Sequence, residues 1–224
     1  MHMPVVADAR IQKRIDELQA MSVAQEGDIH RYFSERAKKG NLSWDGLDDE
    51  ANRFMADKLV ALEPIKAEFS ALTCRALRAK RVVEIGTSYG VSTLYLADAV
   101  RSNGGGVVVG TEYEPAKAAA ARANFAAAGV SDLIDLREGD LRETLKSLEG
   151  PIDFVLMDIW TEMARPALEL LAPHLRPGAV IVADNTTQFR RAYRHFFEFV
   201  ENPANRLCTM TLPFNNGLEM IVKV

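Results

Sequence analysis

The sequence has only two cysteines, Cys74 and Cys208, in 224 residues, and neither has a metal-ligand partner at short spacing. That excludes a disulfide scaffold and a thiolate zinc site, and points to a reduced, cytoplasmic compartment. No apolar run approaches the ~20 residues needed to cross a bilayer, and "MHMPVVADARIQKRIDEL" lacks the apolar centre of a signal peptide. Blocks of like charge are missing too. The 27 basic and 31 acidic residues are interspersed, for a formal net charge of −4. A dedicated nucleic-acid surface and a polybasic membrane patch are therefore disfavoured, and a small-molecule partner remains. Internal repeats and low-complexity tracts are absent. The Ala-rich stretch before Gly129 has the periodicity of a helix ended by that glycine.

What is present is a change of pattern near residue 79. Residues 8–78 carry helical spacing, with Ile11, Ile15 and Leu18 on one face and Pro64 as a break. The polar, Gly-containing connection at 38–50 reads as a mobile segment. After it, short β-branched runs alternate with helical stretches at 90–101, 115–128, 141–148 and 162–173. Runs such as "RVVEIG", "GVVVGTE" and "AVIVAD" are apolar on both faces, as in a parallel sheet covered on both sides. A helix at about 187–200 leads to "RLCTMTLP" and "GLEMIVKV", with Asn216-Gly217 as a hairpin signal. The expectation is one α/β domain, residues 1–224. A helical cap (1–78) joins a Rossmann-like, doubly wound, mostly parallel seven-stranded core (79–224) that ends in an antiparallel hairpin. The apolar faces of the cap predict that it lies over the carboxyl edge of the sheet or builds a homodimer contact.

The stretch "VVEIGTSYGVSTLYLA" (82–97) joins a strand, a small-residue turn and a helix N-terminus, which together seat a ligand. A dinucleotide turn needs three glycines in G-x-G-x-x-G. Here only Gly86 and Gly90 are present, so the seat suits a carboxylate and a nucleoside without a pyrophosphate. Glu84 can face a ligand ammonium or fix backbone N–H groups of the turn. Ser92 can hold an amino-acid carboxylate. Glu112, at the end of the next strand, can accept both ribose hydroxyls, and Asp140 can accept from an adenine amino group. Together these describe S-adenosylmethionine. The stretch resembles motif I of the class I methyltransferases.

Two further strand ends carry acids. "FVLMDIW" ends at Asp158, and "GAVIVADNT" ends at Asp184-Asn185. Adjacent parallel strands bring such residues together at the carboxyl edge, where they form a hard oxygen set suited to Mg²⁺ or another divalent cation. From about residue 60 to 224 the chain resembles the catechol and caffeoyl-CoA O-methyltransferases. The matching motifs are "VVEIGTSYGVSTLYLA", "GTEYEP", "DFVLMDIW", "LRPGAVIVADN" and "LPFNNGLEMIVKV". The resemblance implies that Asp158, Asp184 and Asn185 bind the metal, that Trp160 walls the cofactor or acceptor pocket, and that Glu219 touches the acceptor hydroxyl. Asp158 thus appears on three counts, as metal ligand, cofactor neighbour and catalytic group, with Glu219 as the second catalytic candidate.

The chain departs from that family in two places. The family's lysine a few residues after the metal aspartate is missing, with Thr161 in its place. The segment after Asp184-Asn185 is short. The expected reaction is Mg²⁺-assisted methyl transfer to a hydroxyl of a catechol-like acceptor. Open alternatives are a metal-independent small-molecule or tRNA methyltransferase and a cofactor-binding relative without turnover.

Overall fold

The computed structural model describes residues 3–40 and 48–224. Most of the polar connection expected to be mobile lies outside them. Helix α1 (Ala9–Lys38) starts at Asp8, whose carboxylate accepts from the Arg10 N–H at 2.8 Å. Its buried Ile11, Ile15 and Leu18 recur at i, i+4 and i+7, the stripe expected of a docked helix. Helix α2 (Asp49–Met55) is short, and α3 (Pro64–Ala76) opens with proline at its first position, where no N–H is needed. Residues 56–63 between them are not helical, so the helical pattern read across Pro64 stops at Met55.

The remaining elements alternate. In order they are β1 (Arg81–Ile85), α4 (Val91–Ser102), β2 (Val107–Glu112), α5 (Pro115–Ala128), β3 (Ile134–Glu138), α6 (Leu141–Thr144), β4 (Ile152–Met157), α7 (Thr161–Leu171), β5 (Leu175–Asp184), α8 (Arg194–Val200), β6 (Leu207–Leu212) and β7 (Leu218–Lys223). They build one seven-stranded sheet in the order β3-β2-β1-β4-β5-β7-β6. The first five strands are parallel, while β7 runs antiparallel to both β5 and β6. The strand order reverses between β1 and β4, and ligands of open α/β sheets bind outside the carboxyl ends at such a point.

Two cores sandwich the sheet. Val82, Phe154, Val180 and Val182 point to the side of α1, α3 and α4, and Val83, Val155, Met157 and Ile181 point to the side of α7 and α8. Helix α1 lies on α4 and α5. Asp8 pairs with Arg101 at 3.0 Å, and Arg14 donates to the side-chain oxygen of Asn124 at 3.0 Å.

The helix expected at about 187–200 is confined to Arg194–Val200. The N–H groups of Thr187 and Gln188 donate to the Asn216 carbonyl at 3.0 and 3.1 Å, so the hairpin takes the donors a helix would use. Asn216 and Gly217 both have positive φ, 60° and 81°, as their dipeptide signal requires.

Candidate active site

Five strand ends meet at the carboxyl edge, and β1 carries the tightest turn. Gly86 has φ +96°, and a Cβ there would lie 2.0 Å from the Asp158 carbonyl oxygen. The turn after β1 therefore rests directly on the end of β4, where the Asp158 N–H donates to the Ile85 carbonyl at 3.0 Å. Gly90, with φ +87°, opens α4 and admits the ring of Phe125.

Glu84 is fully buried and is satisfied inside the protein. It accepts from Ser92 Oγ at 2.6 Å, from Thr87 Oγ1 at 2.9 Å and from Thr93 Oγ1. Burial raises its pKa, and the three hydroxyls pull the other way. Glu84 fixes the turn through side-chain hydroxyls, where backbone N–H groups were expected. Ser92 spends its proton on Glu84, so the donors left for a ligand carboxylate are the first-turn N–H groups of α4.

Glu112 reaches across to the same turn. Its Oε2 accepts from the Ser88 N–H at 2.7 Å and its Oε1 from the Glu114 N–H at 2.8 Å. Each oxygen keeps a lone pair for a further donor. Asp140 caps α6 through the Arg142 N–H and also takes the Arg142 guanidinium at 2.5 Å. Those bonds lower its pKa to about 2. A cleft runs beneath residues 59–62 and is bounded by the turn at 86–89 and by Asp158.

These four residues form a strap across the opening, which the sequence reading did not single out. It is laced to one polar face of α1. Leu59 N–H donates to Gln25 Oε1 at 2.8 Å, Ala61 N–H to Ser22 Oγ at 3.1 Å, and Gln19 Nε2 to the Leu62 carbonyl at 3.2 Å. The cap thus reaches the carboxyl edge by this strap, while α1 itself packs on outer helices.

The β4 and β5 ends stand side by side, in register through Met157 and Ala183. Asp184 is buried, and each of its oxygens has one partner. Its Oδ1 accepts from Lys66 Nζ at 2.6 Å and its Oδ2 from Asn185 Nδ2 at 2.9 Å. Beneath it, the buried Tyr193 hydroxyl donates to the Asp184 carbonyl at 3.1 Å. Asp158 differs: its carboxylate has no hydrogen-bond or ion-pair partner among the described residues. Its pKa is pushed up to about 8, first by burial, then by Asp184 and Glu84, with Lys66 opposing.

The Lys66 ammonium thus acts on both Asp184 and Asp158, and two hard carboxylates plus an amide come from neighbouring strand ends. That donor chemistry fits a divalent cation. Among the described residues no group of three or more His, Cys, Asp or Glu could hold a metal, so the set depends on Asn185 and on water.

Two expected residues lie apart. Glu219 pairs with Ala183 in β5 and so points to the α7–α8 side, opposite Glu84 and Asp184. It is 2% exposed, and β6 holds it through Thr211 Oγ1 at 2.6 Å and Thr209 Oγ1. Trp160 is 48% exposed at the start of α7. Neither lines the cleft beneath the strap. Lys66 was missed, yet it had a signal. It shares the buried face of α3 with Ala67, Ser70, Ala71 and Cys74, and a lysine on such a face needs a charged partner.

Residues 83–186 match a family model described as a methyltransferase domain. A catechol O-methyltransferase of Mycobacterium tuberculosis is 38% identical over 127 residues, covering 56% of this chain and 57% of that protein. One from Niastella koreensis is 34% identical over 134 residues, covering 56% and 58%. The aligned stretch thus spans under two thirds of these relatives. The cofactor-bound crystal structure of Rv0187 from MTB superposes with a TM-score of 0.68 at 29% identity, covering 77% of this chain and 86% of that one. An O-methyltransferase from Bacillus cereus, solved with SAH, shares the fold at a TM-score of 0.68 and 24% identity, covering 78% and 88%. The seven-stranded fold, the family-model match and these relatives agree: residues 83–186 match a methyltransferase domain, and the chain is similar to O-methyltransferases.

Proposed function

We propose that the chain transfers a methyl group from S-adenosylmethionine to a hydroxyl oxygen of a small, catechol-like acceptor. One observation carries this reading. The cleft under the strap joins the Gly86 turn and the first turn of α4 to the unpartnered carboxylate of Asp158, so one wall could seat a cationic donor beside a proton acceptor.

S-adenosylmethionine supplies an electrophilic methyl on a sulfonium. The new O–C bond forms as the S–C bond breaks, the sulfur leaves as a neutral thioether and the hydroxyl proton is lost. The protein aligns the two partners and stabilises charge. In this reading the α4 first turn holds the amino-acid carboxylate and Glu112 accepts from the ribose. Asp140 accepts from the adenine amino group, using a lone pair that Arg142 leaves free. Glu84 keeps the turn rigid, and Ser92 serves through Glu84. Trp160, two residues after Asp158 and half-exposed, stands as an outer wall of the acceptor site. A divalent ion such as Mg²⁺, held by Asp158, Asp184 and Asn185, would supply Lewis acidity to an acceptor oxygen. A free phenol titrates near pH 10, so some such help is required at neutral pH. Asp158 Oδ faces the cleft and is the stronger candidate to take the proton. Glu219, on the other side of the sheet, ties β7 to the edge strand β6.

A homodimer and a cytoplasmic location belong to the same proposal. The free edge β6 with Met210 59% exposed supports the first, and two free cysteines support the second. Labelled S-adenosylmethionine with a panel of catechols, with and without EDTA, tests the chemistry. Methylated catechol is expected. Binding of S-adenosylhomocysteine without turnover on any hydroxylated acceptor would leave a cofactor-binding protein instead.

A further inference from the structure

The lysine missing after Asp158 has a counterpart elsewhere in the fold. Lys66 enters from α3, 118 residues before Asp184, and its ammonium is 1% exposed. It lies 2.6 Å from Asp184 Oδ1 and 3.8 Å from Glu63 Oε2. A buried ammonium is costly without close counter-charge, and here the counter-charge is a carboxylate of the proposed metal set. The other oxygen of Asp184 is taken by the Asn185 amide. A divalent ion arriving at Asp184 must therefore push the ammonium aside or bind next to it in a poorly screened interior.

We propose that Lys66 is the resident counter-cation of the Asp158–Asp184 pair and that it lowers the site's affinity for divalent ions by competing for Asp184. The proposal rests on the reading of Asp158, Asp184 and Asn185 as cation-facing residues. It makes Lys66 a positioning residue. With the ammonium in place, the β5 end keeps its shape without a metal, and the cofactor turn beside it is complete. The rival role, an outer partner that orients a metal ligand, has the opposite sign. Loss of such a partner typically weakens metal binding by about 10–100-fold.

The sign is measurable. Mn²⁺ is titrated by calorimetry into the wild type, Lys66→Met and Lys66→Arg, each saturated with S-adenosylhomocysteine and checked for folding by thermal melting. Lys66→Met should bind Mn²⁺ about 10-fold tighter or more, since a like charge beside the ion has been removed. Lys66→Arg should stay close to the wild type. Equal, weaker or absent Mn²⁺ binding in Lys66→Met overturns the proposal. Should that variant fail to fold, the ¹⁵Nζ resonance of Lys66 in the wild type decides. It should move on titration with Mg²⁺, and an unmoved signal at high millimolar Mg²⁺ overturns the proposal. Failure of the wild type to bind S-adenosylhomocysteine would defeat the methyl-transfer reading, and the Mn²⁺ comparison would still be readable in ligand-free samples.

Discussion

Glu84 and Asp158 stand at the ends of neighbouring parallel strands, yet they live in opposite conditions: Glu84 is sealed in the interior, and Asp158 lines the cleft. Glu84 has three hydroxyl donors, all within nine residues of it in the chain. Asp158 has none, and its neighbour Asp184 is satisfied by a lysine 118 residues away. The turn after β1 is built locally and is complete without a ligand. The β4–β5 end is built from distant segments and still holds an unpartnered acid whose pKa is raised to about 8. In the proposed reaction, rigidity falls where the cofactor binds, and a poised acid where the methyl group is transferred.

The sharpest way to break the first side is Gly86→Ala. The new Cβ would strike the Asp158 carbonyl, and the positive φ adds strain. Cofactor affinity should fall by more than ~100-fold, with a loss of stability of about 3 kcal/mol or more. Calorimetry and a melt would show it, and a variant with native affinity would mean that the two strand ends are not in register.

On the other side, Asp158→Asn should lower turnover by about 10²–10⁴-fold while S-adenosylhomocysteine affinity changes little. Single-turnover rates beside calorimetry separate the two effects. Equal losses in both would erase the distinction between the sides. Glu112→Ala returns to the cofactor side. It removes an acceptor of two backbone N–H groups and the proposed ribose partner, at a cost to binding of roughly 1.5–3 kcal/mol. Unchanged affinity would remove Glu112 from the cofactor site.

The smallest effect is expected for Glu219→Gln. Its carboxylate serves two β6 hydroxyls on the far face, so turnover should change by less than about threefold, with a stability cost of about 1 kcal/mol. A collapse of turnover with an intact melt would put Glu219 back among the catalytic groups.

Much of the turn after β1 was legible because its logic is local. Glu84, Gly86 and Gly90 lie within seven residues, and strand periodicity places Glu112, Asp158 and Asp184 at one edge. The sheet, its hairpin and the positive φ of Asn216 and Gly217 follow from patterns of two to eight residues. The strap and Lys66 did not follow. Helical spacing runs on past Met55, and nothing local says that Leu59 will donate to Gln25 instead of continuing a turn. The face that Glu219 takes was illegible for a related reason. Pairing with β5 fixes which face it takes, and a register is set by partners rather than by the strand itself.

The three polar contacts between α1 and residues 59–62 bear on traffic as well as on shape. They lie on a single helix and hold consecutive stretches of one short segment, so they would open together. If the proposed donor binds beneath that segment, α1 is a latch on its exchange, and the pace of successive cycles would be set by how often α1 loosens its hold rather than by the methyl transfer.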